Sequence, residues 1–175
     1  MTPKSAEPAV LPIANAALKV LVVVNWVAGA AILALLVIMP NRRWIMGAFH
    51  IAPSPDADRL IMGLRAIAVI GLAGIVFHYL ILKRLLAIVE TVRAGDPFVL
   101  ANAVRLREIA WTLVALQLMS LVIGGIAKGV STPSHPLHLG AGFSISGWLA
   151  VLLTFLLARV FTQGTLMRED LEGTV

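Results

Sequence analysis

Apolar residues in this chain gather into four long runs, roughly Leu18–Met39, Leu60–Leu82, Ile109–Ala127 and Phe143–Val160, and charge is concentrated between them. A hydrocarbon core of about 30 Å is crossed by about 20 apolar residues at the helical rise. In lipid a helix satisfies its own backbone polar groups, so runs of this length predict four spanning helices. The expected fold is all-α: an integral membrane four-helix bundle, with helices extending into the cytoplasm between spans two and three.

Periodicity carries the second helix past its span. Leu82, Leu85, Leu86, Val89 and Val92 keep to one helical face, with Lys83, Glu90 and Thr91 elsewhere. The helix is expected to reach about Ala94, where Gly95 takes the left-handed C′ position and Pro97 prevents continuation. A third helix then begins near Leu100–Asn102, giving a cytoplasmic hairpin over 83–108. The two outer loops contain Pro53-Ser54-Pro55-Asp56, with Asp56 as a candidate N-cap, and an irregular stretch with Pro133, Pro136, Gly140 and Gly142. Residues 1–14, with Pro3, Pro8 and Pro12, read as a disordered tail, 15–162 as the membrane domain, and 163–175 as a polar cytoplasmic tail.

Composition supports this division. The 175 residues are 59% hydrophobic and only 13% charged, against about 25% charged in soluble domains. No segment outside the runs is long enough to bury a core of its own. A net charge of +5 would suggest nucleic acid in a soluble protein. Here the basic residues flank apolar runs, so the lipid bilayer with its anionic headgroups is the expected partner, and no direct nucleic-acid binding is expected. The first run is too long for a signal peptide and Met39-Pro40-Asn41-Arg42-Arg43 is no cleavage site, so it should remain a span.

Orientation follows from Lys and Arg beside the spans. One side holds Lys4, Lys19, Lys83, Arg84, Arg93, Arg105, Arg107, Arg159 and Arg168; the other holds Arg42, Arg43, Arg59, Arg65 and Lys128. The bias places both termini in the cytoplasm of an inner (plasma) membrane.

No catalytic constellation is recognisable: there is no nucleophile–base pair, phosphate loop or metal cluster. The chain has no cysteine, which removes thiolate catalysis and Cys-ligated metals. A non-enzyme without catalytic residues, cofactor or metal is expected. The deepest polar residues are Asn25, Gln117 and Thr154, for which interhelical packing bonds are favoured over a substrate path. His78 would need a second histidine at its depth to hold haem; His50, His135 and His138 all fall in outer loops, so a hydrogen-bonded core histidine is favoured. His135 and His138 have no neighbouring acid or Cys to complete a zinc site. Arg65 and Arg159, near span ends, are expected to snorkel to headgroups, and most of Trp26, Trp44, Trp111 and Trp148 to anchor at the interface. Gly29, Gly71, Gly74, Gly124 and Gly147 permit close helix packing within one chain or a homodimer, which sequence does not separate.

The hairpin and the tail carry a resemblance. Gly95-Asp96-Pro97-Phe98-Val99, Asn102, Arg105-Leu106-Arg107-Glu108-Ile109-Ala110 and the ending Val160-Phe161, Gly164, Leu166-Met167-Arg168-Glu169-Asp170-Leu171-Glu172-Gly173-Thr174-Val175 resemble the signature of an uncharacterised bacterial four-span membrane family, catalogued as domain of unknown function two-nine-seven-five. The chain departs from it at Leu100-Ala101, where members often have Pro-Glu, so the turn should be less tightly capped. Genes of that family often lie beside one for a small helix-turn-helix transcription regulator. The resemblance therefore implies a membrane-anchored regulatory protein that restrains such a regulator. Gly95, Asp96, Pro97, Phe98, Asn102, Arg105 and Arg107 are the candidate docking residues. The basic edge of Lys83, Arg84, Arg93, Arg105 and Arg107 has a competing reading as a lipid-facing surface. A function of another class, a small transporter or export subunit, would use a polar path past Asn25, His78 and Gln117.

Overall fold

A computed structural model describes residues 10–39, 41, 47, 57–131 and 140–172. It contains four long helices: α1 (Val10–Ile38), α2 (Ala57–Arg93), α3 (Leu100–Val130) and α4 (Ile145–Glu172). All four are long and apolar enough to cross a membrane, as the apolar runs predicted. The protein is an all-α, multi-pass membrane protein.

Helix α1 begins at Val10, so residues 10–14, assigned above to the tail, are helical instead. Pro12 lies in the first turn, where a missing N–H and a fixed φ cost nothing. The candidate cap Asp56, the outer-loop histidines His50, His135 and His138, and Trp44 lie outside the described residues.

Length decides what happens at the hairpin. Helix α2 has 37 residues. At about 1.5 Å per residue such a helix is about 55 Å long, well beyond a 30 Å hydrocarbon core. Its C-terminal turns, 83–93, continue past the end of its apolar run at Leu82. The helix ends where the sequence places the stop: Gly95 has φ +85°, Gly95 N donates to Val92 O at 3.1 Å and Asp96 N to Thr91 O at 3.0 Å. These are the two bonds of a Schellman cap. Helix α3 starts at Leu100 after an extended Val99 that supplies no side-chain cap.

The helices pack in chain order, α1 on α2, α2 on α3 and α3 on α4, while α1 and α4 make no comparable pairing with each other. The most apolar stretches of the two middle helices are 22% buried, against 11% for the two outer ones. The row of helices is thus open at both edges. Close approach depends on small residues at the seams: Ile75 fills the space over Gly29, Val130 that over Gly63, and the 141–142 backbone crosses Gly124. Tyr79 lies against Trp26 with ring centroids 5.4 Å apart, and Phe155 meets Trp111 edge-on at 5.4 Å. At the end opposite the hairpin, Met39, Ala57, Leu60 and Ile61 form a buried cluster backed by Leu35, Leu36, Leu64 and Val130.

Two arginines expected at headgroups differ in fate. Arg65 donates from Nη2 to the Met39 carbonyl at 2.8 Å, so it caps the C-terminal end of α1 rather than serving only as a lipid anchor. Carbonyls at a helix end lack an internal partner and carry partial negative charge, which a guanidinium satisfies on both counts. Arg159 is exposed. Trp148 Nε1 is buried with no hydrogen-bond partner among the described residues, so its N–H is not offered to headgroups.

Candidate docking site at the hairpin and tail

The hairpin is built around a buried amide. Asn102 is 0% exposed. Its Nδ2 donates to Thr91 Oγ1 at 2.7 Å and to the Pro97 carbonyl at 2.8 Å, and its Oδ1 accepts from Arg105 Nη1 at 2.7 Å. Thr91 in turn donates to the Ile88 carbonyl at 2.7 Å. One side chain therefore joins the end of α2, the turn and the start of α3. A buried amide is costly unless paired, and this one is paired on both its donor and acceptor ends. Below it, Arg84 Nε contacts Glu108 Oε2 at 2.6 Å, and Arg84 Nη1 donates to Thr112 Oγ1 at 3.3 Å, tying α2 to α3 a second time.

The last turns of α4 close over this hairpin. Phe98 lies against Phe161 with centroids 5.3 Å apart. A Cβ on Gly164 would stand 2.9 Å from the Phe98 ring, so glycine is what admits the ring to the helix surface. Arg168 pairs with Asp96. The two segments that carry the sequence signature thus meet in space, across a long stretch of intervening chain.

These positions revise the docking roles read from sequence. Asn102 is wholly interior, and Arg105 is half-buried and bonded to Asn102, so neither presents a free surface. Gly95 and Pro97 shape the turn, and Asp96 is engaged by Arg168. Phe98 keeps 43% exposure despite its contacts. Arg107 is exposed and lines a groove between α3 and α4. Of the basic edge, Arg84 and Arg105 are turned inward to protein partners rather than to lipid. Sequence reasoning pointed to the tail but left Leu166 and Met167 out of the docking residues; beyond the last apolar run, they are 54% and 63% exposed. The signal for them was their place in the resembling ending.

The intramembrane polar residues separate into different sites. Asn25 Nδ2 donates to the Ile75 carbonyl at 3.1 Å, across the α1–α2 seam. Thr154 bonds its own helix at Ala150, not a neighbour. His78 is exposed rather than part of the core, and its Nδ1 donates to the Gly74 carbonyl at 2.8 Å. A carbonyl oxygen only accepts, so Nδ1 carries the proton of this bond. His78 and Gln117 line one cavity of about 430 Å³ between α2 and α3, together with Ser120, Gly71 and Gly74. Asn25 does not line it. Among the described residues no cluster of three or more His, Asp or Glu is placed to hold a metal ion.

A family model described as "Protein of unknown function (DUF2975)" matches residues 13–175. No curated protein and no solved structure matches the chain.

Proposed function

The chain belongs to this family of unknown function, and from that premise we propose that it is a non-enzymatic inner-membrane protein whose hairpin and tail hold a cytoplasmic partner, a small helix-turn-helix transcription regulator. The supporting observation is the junction itself. The most completely bonded polar network in the described residues lies where α2 leaves its apolar run, and the tail is clamped to it through Phe98–Phe161 and Arg168–Asp96. A span needs no such network to cross lipid, because its backbone is already satisfied. Rigid preparation of a surface outside the bilayer lowers the ordering cost of binding. Beside the clamp, Phe98, Leu166 and Met167 expose apolar area, and Met167 follows Gly164 on the same helical face. Aromatic residues, Met and Arg are the residues enriched at such interfaces. The identity of the regulator rests on the family resemblance alone.

The test is recovery of the co-expressed neighbouring regulator with tagged full-length protein from membranes. Leu166→Glu with Met167→Glu should reduce recovery about tenfold or more, the scale of a lost interface hot spot, while insertion stays normal. Unchanged recovery from a normally inserted double variant overturns the docking role.

The cavity holding His78 and Gln117 favours a second reading, a small-molecule path or site within the spans. Asn25 stands apart from it at another seam, so the three residues do not form one continuous path. Retained regulator binding together with loss of function in a folded Gln117→Leu variant would support this reading instead.

A further inference from the structure

The basic residues of the hairpin end divide into two groups. Arg84 is paired with Glu108, Arg93 with Glu90, Arg168 with Asp96, and Arg105 with Asn102. Arg107 and Arg159 have no such partner among the described residues, yet both line one groove of about 600 Å³ between α3 and α4. Among the described residues no carboxylate lines it. Its remaining walls are largely apolar, with Val104, Phe155 and Ala158, and Gln163 at the polar end.

The groove also has a definite depth. Arg107 lies two residues before the apolar run that starts at Ile109, and Arg159 stands at the end of the run that closes at Val160. Both guanidinium groups therefore sit at headgroup level on the hairpin side, as flanking basic residues do. Phe155 lies a turn deeper within its run and Gln163 a turn beyond it. A water-soluble protein would have to enter the hydrocarbon to reach Phe155. A molecule of the leaflet is already there.

We infer that this groove binds an anionic glycerophospholipid, with its phosphate between Arg107 and Arg159 and an acyl chain running inward past Ala158 and Phe155. Two unpaired guanidinium groups supply charge and paired N–H donors to phosphate oxygens. The apolar wall receives hydrocarbon without desolvating any polar group. The site is distinct from the docking surface of Phe98, Leu166 and Met167.

The experiment is native mass spectrometry of the full-length protein released from vesicles of phosphatidylcholine with phosphatidylglycerol, beside thermal unfolding in the same mixtures. The parent should retain phosphatidylglycerol in preference to phosphatidylcholine and melt higher in its presence. Each basic contact at the surface is worth about a factor of five, so Arg107→Gln with Arg159→Gln should cut retention roughly thirtyfold. The double lysine variant should keep part of it, and Arg93→Gln, another basic residue of the same end, should leave it unchanged. Equal retention by the double glutamine variant, or equal loss from Arg93→Gln, overturns the site. Stabilisation by inorganic phosphate alone, without lipid, overturns the lipid as its source. Because the lipid readout needs no regulator and the pull-down uses other residues, failure of one proposal is separable from failure of the other.

Discussion

Asn25 and Asn102 carry the same amide into the protein and do different work with it. Asn25 makes one bond, at 3.1 Å, to a helix carbonyl across a seam. Interhelical bonds of this kind average about 0.6 kcal/mol, because the alternative states of a membrane helix also find partners. Asn102 makes three bonds from a fully buried position, one of them to a guanidinium. Removing it leaves Thr91, the Pro97 carbonyl and Arg105 short of a partner, each a buried or half-buried group that water reaches poorly. Asn25→Val should therefore lower stability by less than about 1 kcal/mol, and Asn102→Ala by about 2–4 kcal/mol. Thermal unfolding in detergent would read the contrast, and equal shifts would refute the view that the Asn102 network holds the hairpin. Asn102→Asp should not rescue it, since the carboxylate cannot donate to Thr91 or to the Pro97 carbonyl.

At the scale of elements, the seams differ in how much they can give. A Cβ on Gly147 would overlap the side-chain amide of Gln117, the far end of a flexible residue. A Cβ on Gly124 would stand 2.8 Å from the Ala141 carbonyl oxygen and 2.9 Å from Gly142 Cα. That backbone is fixed by Ser120, whose hydroxyl donates to the Gly142 carbonyl and accepts from its N–H. Gly124→Ala should cost about 1–3 kcal/mol as overpacking against backbone, and Gly147→Ala less, as Gln117 rotates away. Unfolding midpoints in the reverse order would show that the seam at Gly124 is free to open. This difference marks what sequence could and could not convey. Spans, helix overrun and the Gly95 stop were legible because apolar length, periodicity and cap chemistry are local. Arg65 reaching Met39, and Arg168 reaching Asp96, were not, because each joins segments far apart in the chain. The same reason hid the inward turn of Asn102 and Arg105: a polar residue outside a span reads as surface until the element packed against it is known. His78 failed in the opposite sense, since depth in a span fixes its level in the bilayer but not which side of the helix faces lipid.

For the whole molecule, four crossings put the two ends of the chain and the α2–α3 hairpin on one side of the membrane, and charge decides which side. Nine Lys and Arg lie on the hairpin side, from Lys4 to Arg168, against five on the other. The structure refines that difference by showing what each charge is used for. Arg65 caps α1, so one of the five opposing charges has a task inside the protein that would hold it in place whichever way the chain inserts. Arg107 and Arg159 have no protein partner among the described residues and remain available to an anionic leaflet. Orientation bias is set mainly by basic residues in short segments near span ends, and it favours retaining the richer side in the cytoplasm. A reporter active only outside the cytoplasm should thus be silent when fused after Val175 and active when inserted within 131–139. Reversed activities would place the hairpin outside, beyond reach of any cytoplasmic regulator, and would remove the docking proposal together with the orientation. Moving the balance should also move the outcome. Replacing Lys83, Arg93 and Arg107 with Gln takes three unclamped or weakly paired charges from the hairpin side, leaving six against five. A mixed reporter signal is expected from that variant, whereas a wholly unchanged signal would mean that the first span alone sets the topology.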